Sequence, residues 1–165
     1  KPSRRLYPGI YPSKRTYTGG LTTFMKLVVI DGQGGKMGSA VIAQLKTALP
    51  EYKIYALGTN SIATSSMLKA GADYGATGEN PVLANTKNAD IIIGPMGIVL
   101  ADSLLGEITP AMACAIGSSP AYKILLPVNR CNHYIIGCQD IPLSESIRLV
   151  IEKVKEFLQT QGCKS

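Results

Sequence analysis

The segment that most limits what this chain can become is KLVVIDGQGGKMGSAVIAQL, residues 26–45, in which a β-branched run meets four closely spaced glycines and then a helical stripe. The run from Lys26 to Ile30 shows no polar alternation, the pattern of a strand buried on both faces, so its sheet must be covered on both sides. Val41, Ile42, Leu45 and Leu49 fall on one face of a helix expected over Met37–Leu49 and stopped by Pro50. Strand, glycine turn and helix in this order begin a βαβ unit.

The alternation continues. Lys53–Leu57 reads as a second strand, and Ile62–Ala70 as a helix capped by Gly71. A short strand is expected near Tyr74–Ala76. Asn80-Pro81 then has the form of a helix cap followed by a first-turn proline, opening a helix to about Lys87. Asp90–Ile93 is a fourth buried strand, Thr109-Pro110 repeats the cap signal for a helix ending by Gly117, and Tyr122–Leu126 is a fifth strand. Tyr134–Cys138 reads as a sixth. The few residues between these last two are too short for a parallel crossover, so they are expected to pair antiparallel. Ile147, Val150, Ile151, Val154, Phe157 and Leu158 mark a final amphipathic helix. The expected fold is a three-layer, doubly wound α/β sandwich whose sheet is mostly parallel with one antiparallel strand.

In such a fold ligands sit beyond the carboxyl ends of the strands, where the strand order reverses. The polar and glycine clusters fall there: Asp31 to Gly38, Gly58 to Ser61, Thr77 to Asn80, Gly94 to Gly97, and Asn129 to His133. In the first, Gly32, Gln33, Gly34, Gly35, Lys36, Met37 and Gly38 form a loop whose glycines permit close backbone approach to a ligand and whose helix amides face an anion. The spacing departs by one residue from the dinucleotide fingerprint G-x-G-x-x-G, toward a form tolerated by some NADP-binding proteins. It is not a P-loop, because Gly38 rather than lysine precedes Ser39. Near the end of the second strand stand Thr59, Asn60 and Ser61, without the acid that holds NAD ribose or the arginine that secures NADP. These residues equally suit a helix start. Gly94, Pro95, Met96 and Gly97 would line the base or nicotinamide side.

Asp31, Thr77 and Glu79 are placed to contact a ligand, with capping of nearby amides as the plainer role for the two acids. Asn129 and Arg130 are further candidates, since a guanidinium clamps a carboxylate or phosphate through its planar fork. Cys131 beside His133 forms a weak case for a nucleophile, because neighbouring strand residues face opposite ways. Asp102 and Glu107 flank the apolar Ser103-Leu104-Leu105, and the whole segment GIVLADSLLGEI suits a pocket lining or a dimer interface.

The net charge of +6 suggests a polyanion partner, but five of the seventeen basic residues lie in the first 24, which contain no acid. The remaining chain is near neutrality, so no nucleic-acid footprint is expected. Residues 1–24 are expected to be a basic tail or start-site extension, and 25–165 a single domain. The four cysteines show no metal or disulfide spacing. The apolar run from Ile91 to Leu105 falls short of the roughly 18 to 20 residues of a membrane span. A cytoplasmic, homodimeric protein without a membrane partner is expected.

Together MKLVVIDGQGG, ALGTNSIATSSMLKAGADYGATGEN, ADIIIGPMGIVLADSLLGEITPAMA and ILLPVNRCN resemble a family of small bacterial proteins known as a domain of unknown function. The resemblance covers about residues 25–160. It implies a Rossmann-like protein with no assigned catalytic residues, and His133 departs from the other polar residue more usual after NRCN or NRC. On the residues themselves, the leading expectation is a small-molecule ligand carrying phosphate, such as NADP or another nucleotide, with NAD(P)-linked hydride transfer the natural chemistry. The alternative is a regulatory or sensor subunit that binds a metabolite and presents its apolar 97–105 segment to a partner. A hydrolase or transferase using Asp31 or Cys131 is a third.

Overall fold

The computed structural model describes residues 25–127 and 134–162. The elements run β1 (Leu27–Asp31), α1 (Lys36–Ala48), β2 (Ile54–Gly58), α2 (Ser61–Lys69), β3 (Tyr74–Thr77), α3 (Glu79–Asn85), β4 (Ile91–Pro95), α4 (Pro110–Ser118), β5 (Tyr122–Leu126) and α5 (Leu143–Gly162). The strands form one sheet in the order β3-β2-β1-β4-β5, every pair parallel. The order reverses between β1 and β4, and all five carboxyl ends share one edge. Basic tail residues 1–24 and the Asn129–His133 loop lie outside the described residues.

Leu27 to Ile30 are fully buried because alternate side chains enter two cores. Leu27 and Val29 meet Val41, Ile42 and Leu45 of α1, Met67 of α2 and the Ile147, Val150 and Val154 stripe of α5. Val28 and Ile30 face Val82 of α3 and Met112 and Ile116 of α4. Burying each such side chain is worth about 1.5 to 3 kcal/mol, which fixes β1 as the central strand. At the amino edge, the Asp73 carboxylate accepts from Lys46 at 3.1 Å, Lys53 at 3.0 Å and the Ile54 amide at 2.9 Å.

Three expectations are corrected. Tyr134–Cys138 is not a strand: Ile136 and Gly137 lie in a turn in which the Cys138 amide donates to the Ile135 carbonyl at 3.3 Å. Tyr134 is 84% and Ile136 90% exposed, so the apolar alternation has no face to bury and the sheet is all parallel among the described residues. The cap of α3 is Gly78, not Asn80, and Pro81 sits in the first turn, where its missing N–H costs little. Gly94 and Pro95 belong to β4 rather than to the loop after it, opposite Leu125 and Leu126 of β5. The β1 pairing stops at Ile93, so the missing proline N–H breaks no β1 bond. Among the described residues, no helix is long and apolar enough to cross a membrane.

Candidate functional site

Asp31 ends β1 and turns its carboxylate onto the start of α1. It accepts from the Gly32 amide at 2.8 Å and the Gly38 amide at 2.7 Å. The N-cap of α1, Gly35, has no side chain to cap with, so Asp31 supplies the anion that a helix N-terminus favours. Burial pushes its carboxyl above the usual aspartate range against the pull of the Gly38, Gly32 and Met37 amides, and the charge of Glu107 adds to the push.

The loop between them is a turn closed by the Gly35 amide on the Gly32 carbonyl at 2.9 Å, with Gln33 left-handed at φ 50°. Three of its glycines answer to the protein's own packing. At Gly35, with φ 69°, a Cβ would stand 2.7 Å from the Ala63 Cα, so only glycine lets α1 start against α2. At Gly38 a Cβ would meet the Met67 sulfur at 2.6 Å, and at Gly32 the Glu107 carboxylate at 2.6 Å. Gly34 differs: it is exposed, and a Cβ there would meet nothing within 4 Å.

Glu107 is the residue that sequence reasoning left outside the site. Its Oε2 accepts from the Gln33 amide at 2.8 Å, from Asn60 Nδ2 at 3.2 Å and from the Thr59 hydroxyl. Asn60 also donates to the Gln33 carbonyl at 3.0 Å and caps α2 by accepting from Ala63 at 2.9 Å. The carboxylate missing after β2 in sequence is thus delivered in space from the segment after β4. Partial burial alone would raise the Glu107 carboxyl, but Thr59, Gln33 and Asn60 outweigh it and hold the group below its ordinary value. Its Oε1 has no donor among the described residues.

The segment that delivers Glu107 is conformationally costly. After a 3-10 turn at Met96–Val99, Asp102, Leu104, Leu105 and Gly106 take φ values of 62°, 54°, 57° and 85°. Left-handed backbone costs a non-glycine residue roughly 1 to 2 kcal/mol. Ser103 is buried and bonds the Gly97 carbonyl, while the Leu104 side chain covers Gly32. Of the apolar 97–105 segment, Ile98 is fully buried, Val99, Leu100 and Leu104 are half-buried and Leu105 is exposed.

The remaining predicted residues divide. Thr59, Asn60 and Gln33 join the Glu107 cluster, and Lys36 and Ser61 are exposed first residues of α1 and α2. The Gly34 and Lys36 amides and the Lys36 ammonium have no partner among the described residues. Met37 is half-buried against the core. Gly94, Pro95 and Gly97 are buried and Met96 is half-buried, so they support the 100–107 turn rather than open onto solvent. Thr77 pairs its hydroxyl with Thr64 at 2.6 Å. Glu79 accepts from Thr109, whose oxygen caps α4 by accepting from Met112 at 3.1 Å. Asn129 and Arg130, with Cys131 and His133, lie outside the described residues.

A family model for a "Domain of unknown function (DUF3842)" matches residues 26–159. The chain belongs to this family. No curated protein matches it. Among solved structures, this DUF3842 chain is similar to one described as the crystal structure of dodecameric FMN-dependent UbiX-like decarboxylase from Escherichia coli O157:H7, with 14% identity and a TM-score of 0.49 over 82% of this chain and 95% of that one. In the DUF3842 chain, the turn that carries Glu107 reaches from the end of β4 to the loop after β1 and the end of β2, and Gly34 and Lys36 lie exposed on the same carboxyl edge.

Proposed function

We propose that the protein binds a ribonucleotide bearing one phosphate group at the carboxyl edge of its sheet. The observation that carries this reading is Gly34, the one glycine of the loop whose missing side chain no protein atom requires. Asp31 already occupies the Gly32 and Gly38 amides, which leaves the Gly34 and Lys36 amides and the Lys36 ammonium. Two amides and one cation at a helix start suit a single phosphate rather than a bridging pyrophosphate. The base would lie toward β2 and the start of α2, beside Thr59, Asn60 and Ser61.

The test is thermal unfolding of the full chain against nucleoside monophosphates, FMN, NAD, NADP and inorganic phosphate. A ligand at about 100 times its Kd adds about 2.7 kcal/mol, a rise of roughly 5 to 10 °C for a domain of this size. Gly34→Val, whose side chain enters open space, is expected to keep the unliganded midpoint and to abolish the shift. A shift of full size in folded Gly34→Val overturns the reading.

A further inference from the structure

We infer that the chain pairs with a second copy of itself through the groove between α1 and α5, the two α5 helices lying antiparallel about a twofold axis near Val150. The inference stands apart from the nucleotide reading, since no residue of that groove belongs to the carboxyl-edge site.

The charges on α5 specify this arrangement. Glu145, Arg148, Glu152 and Lys155 follow one another at spacings of three and four, so they form a single stripe along the helix, alternating in sign. Glu145 and Lys155 lie equally far on either side of Val150, and so do Arg148 and Glu152. A second α5 turned about a twofold axis at that point sets Glu145 against the partner's Lys155 and Arg148 against the partner's Glu152. Every contact is then between opposite charges, as an isologous interface requires. A parallel pairing in the same register sets like against like. Within one chain Arg148 is shared between Glu145 and Glu152, while Lys155 has no ion pair among the described residues.

The surface beside the stripe suits the contact. Ile147 and Ile151 of α5 and Ala40 and Ala43 of α1 border a groove of about 550 Å³. Ile151 is only half-buried, and Ala43 is exposed. From Met37 to Leu45 α1 carries no charged residue, although Ala43 and Gln44 face solvent, where an isolated helix ordinarily presents charges. Small uncharged side chains let another helix approach closely. Burial in the groove supplies the affinity, and the charge stripe sets register and direction.

The experiment is sedimentation of the full chain over a range of concentrations, with folding of each variant checked by circular dichroism. The unaltered protein is expected to form dimers. Arg148→Glu and Glu152→Arg each bring like charges together, twice in a symmetric dimer, and each should raise the dissociation constant tenfold or more. In an equimolar mixture of the two variants every contact between chains is again between opposite charges, so mixed dimers should form. Ion pairs lost within one chain cannot give this rescue, because each variant keeps its own like-charged helix. Ala43→Glu, on the uncharged face of α1, should also weaken pairing tenfold or more, and it decides if a charge reversal unfolds α5. Leu149→Arg, on the flank of α5 that faces β5, should leave pairing unchanged. A chain that stays monomeric at every concentration, or a dimer that survives both reversals and Ala43→Glu, overturns the inference. So do folded reversals that no mixture rescues, and loss of pairing with Leu149→Arg in place of Ala43→Glu.

Discussion

At the amino edge of the sheet Asp73 takes Lys46 and the Ile54 amide on one oxygen and Lys53 on the other, whereas at the carboxyl edge Glu107 gathers three donors on one oxygen and leaves its second bare. The first carboxylate is neutralised by cations and closes β2 against β3. The second is held by an amide, a hydroxyl and a carboxamide, and no lysine or arginine among the described residues pairs with it. Asp31 repeats the pattern, tied to backbone amides alone. The same residue types thus finish the structure at one edge and leave unspent hydrogen-bonding capacity at the other, together with the left-handed Asp102, Leu104 and Leu105.

The contrast can be broken within the glycine loop itself. Gly35→Val adds left-handed strain to a collision with the Ala63 backbone and is expected to cost about 3 kcal/mol in chemical denaturation, whereas Gly34→Val should change stability by less than about 0.5 kcal/mol. Similar costs at both positions would mean that the open space at Gly34 has no meaning. Next comes Asp31→Ala, which strips two buried amides of their acceptor and is expected to cost roughly 2 to 3 kcal/mol by the same measurement. A loss under about 0.5 kcal/mol would show that water or another group caps α1 as well.

Acid separates the two edges by sign. Burial would raise the Asp73 carboxyl, but the Ile54 amide and the lysines pull it down to about 2. Its contribution is therefore complete above the ordinary aspartate value and is lost as pH falls from there toward about 2, an effect of roughly 1 to 2 kcal/mol. Asp31, raised by burial, acts oppositely: protonation favours the fold as pH drops through its elevated value. In denaturation midpoints followed from neutral pH to pH 2, Asp73→Asn should flatten the acid loss, and Asp31→Asn should steepen the decline in the pH range just above it. Identical profiles for the two variants would erase the distinction. The smallest effect is expected at Leu105, which is 95% exposed with φ 57°. Leu105→Gly relieves the backbone and should stabilise by up to about 1 kcal/mol; destabilisation would show that the side chain has a packing role.

Much of the fold was legible because its signals are local. The β-branched runs of β1 and β4 and the Thr109-Pro110 start of α4 state their elements within a residue or two, and the β-α alternation states the parallel sheet. The Tyr134–Cys138 strand failed because alternation describes side chains, and nothing in it says whether a face exists to cover them. The site was half legible. The Asp31 to Gly38 loop and Thr59-Asn60 announce themselves by residue type, but their partner Glu107 is 74 residues from Gln33 in sequence. Its only written trace is Gly106 before it and the helix cap after it. No pattern foretells that two leucines will turn left-handed to bring it home.

The Gln33 and Gly38 amides both end on a carboxylate, yet they belong to different moments in the life of the chain. Gly38 meets Asp31 seven residues away in a buried bond, while the exposed bond of Gln33 to Glu107 closes a loop of 74. Closing a short loop costs less entropy than closing a long one, so the cap of α1 is expected to form earlier in folding than the contact of Gln33 with Glu107. The same ranking governs opening from the native state, since releasing Glu107 unfolds no core. In deuterated water the Gln33 amide should exchange by small local fluctuations and Gly38 only with the collapse of the sheet, so the bond expected to assemble last is also the first expected to open.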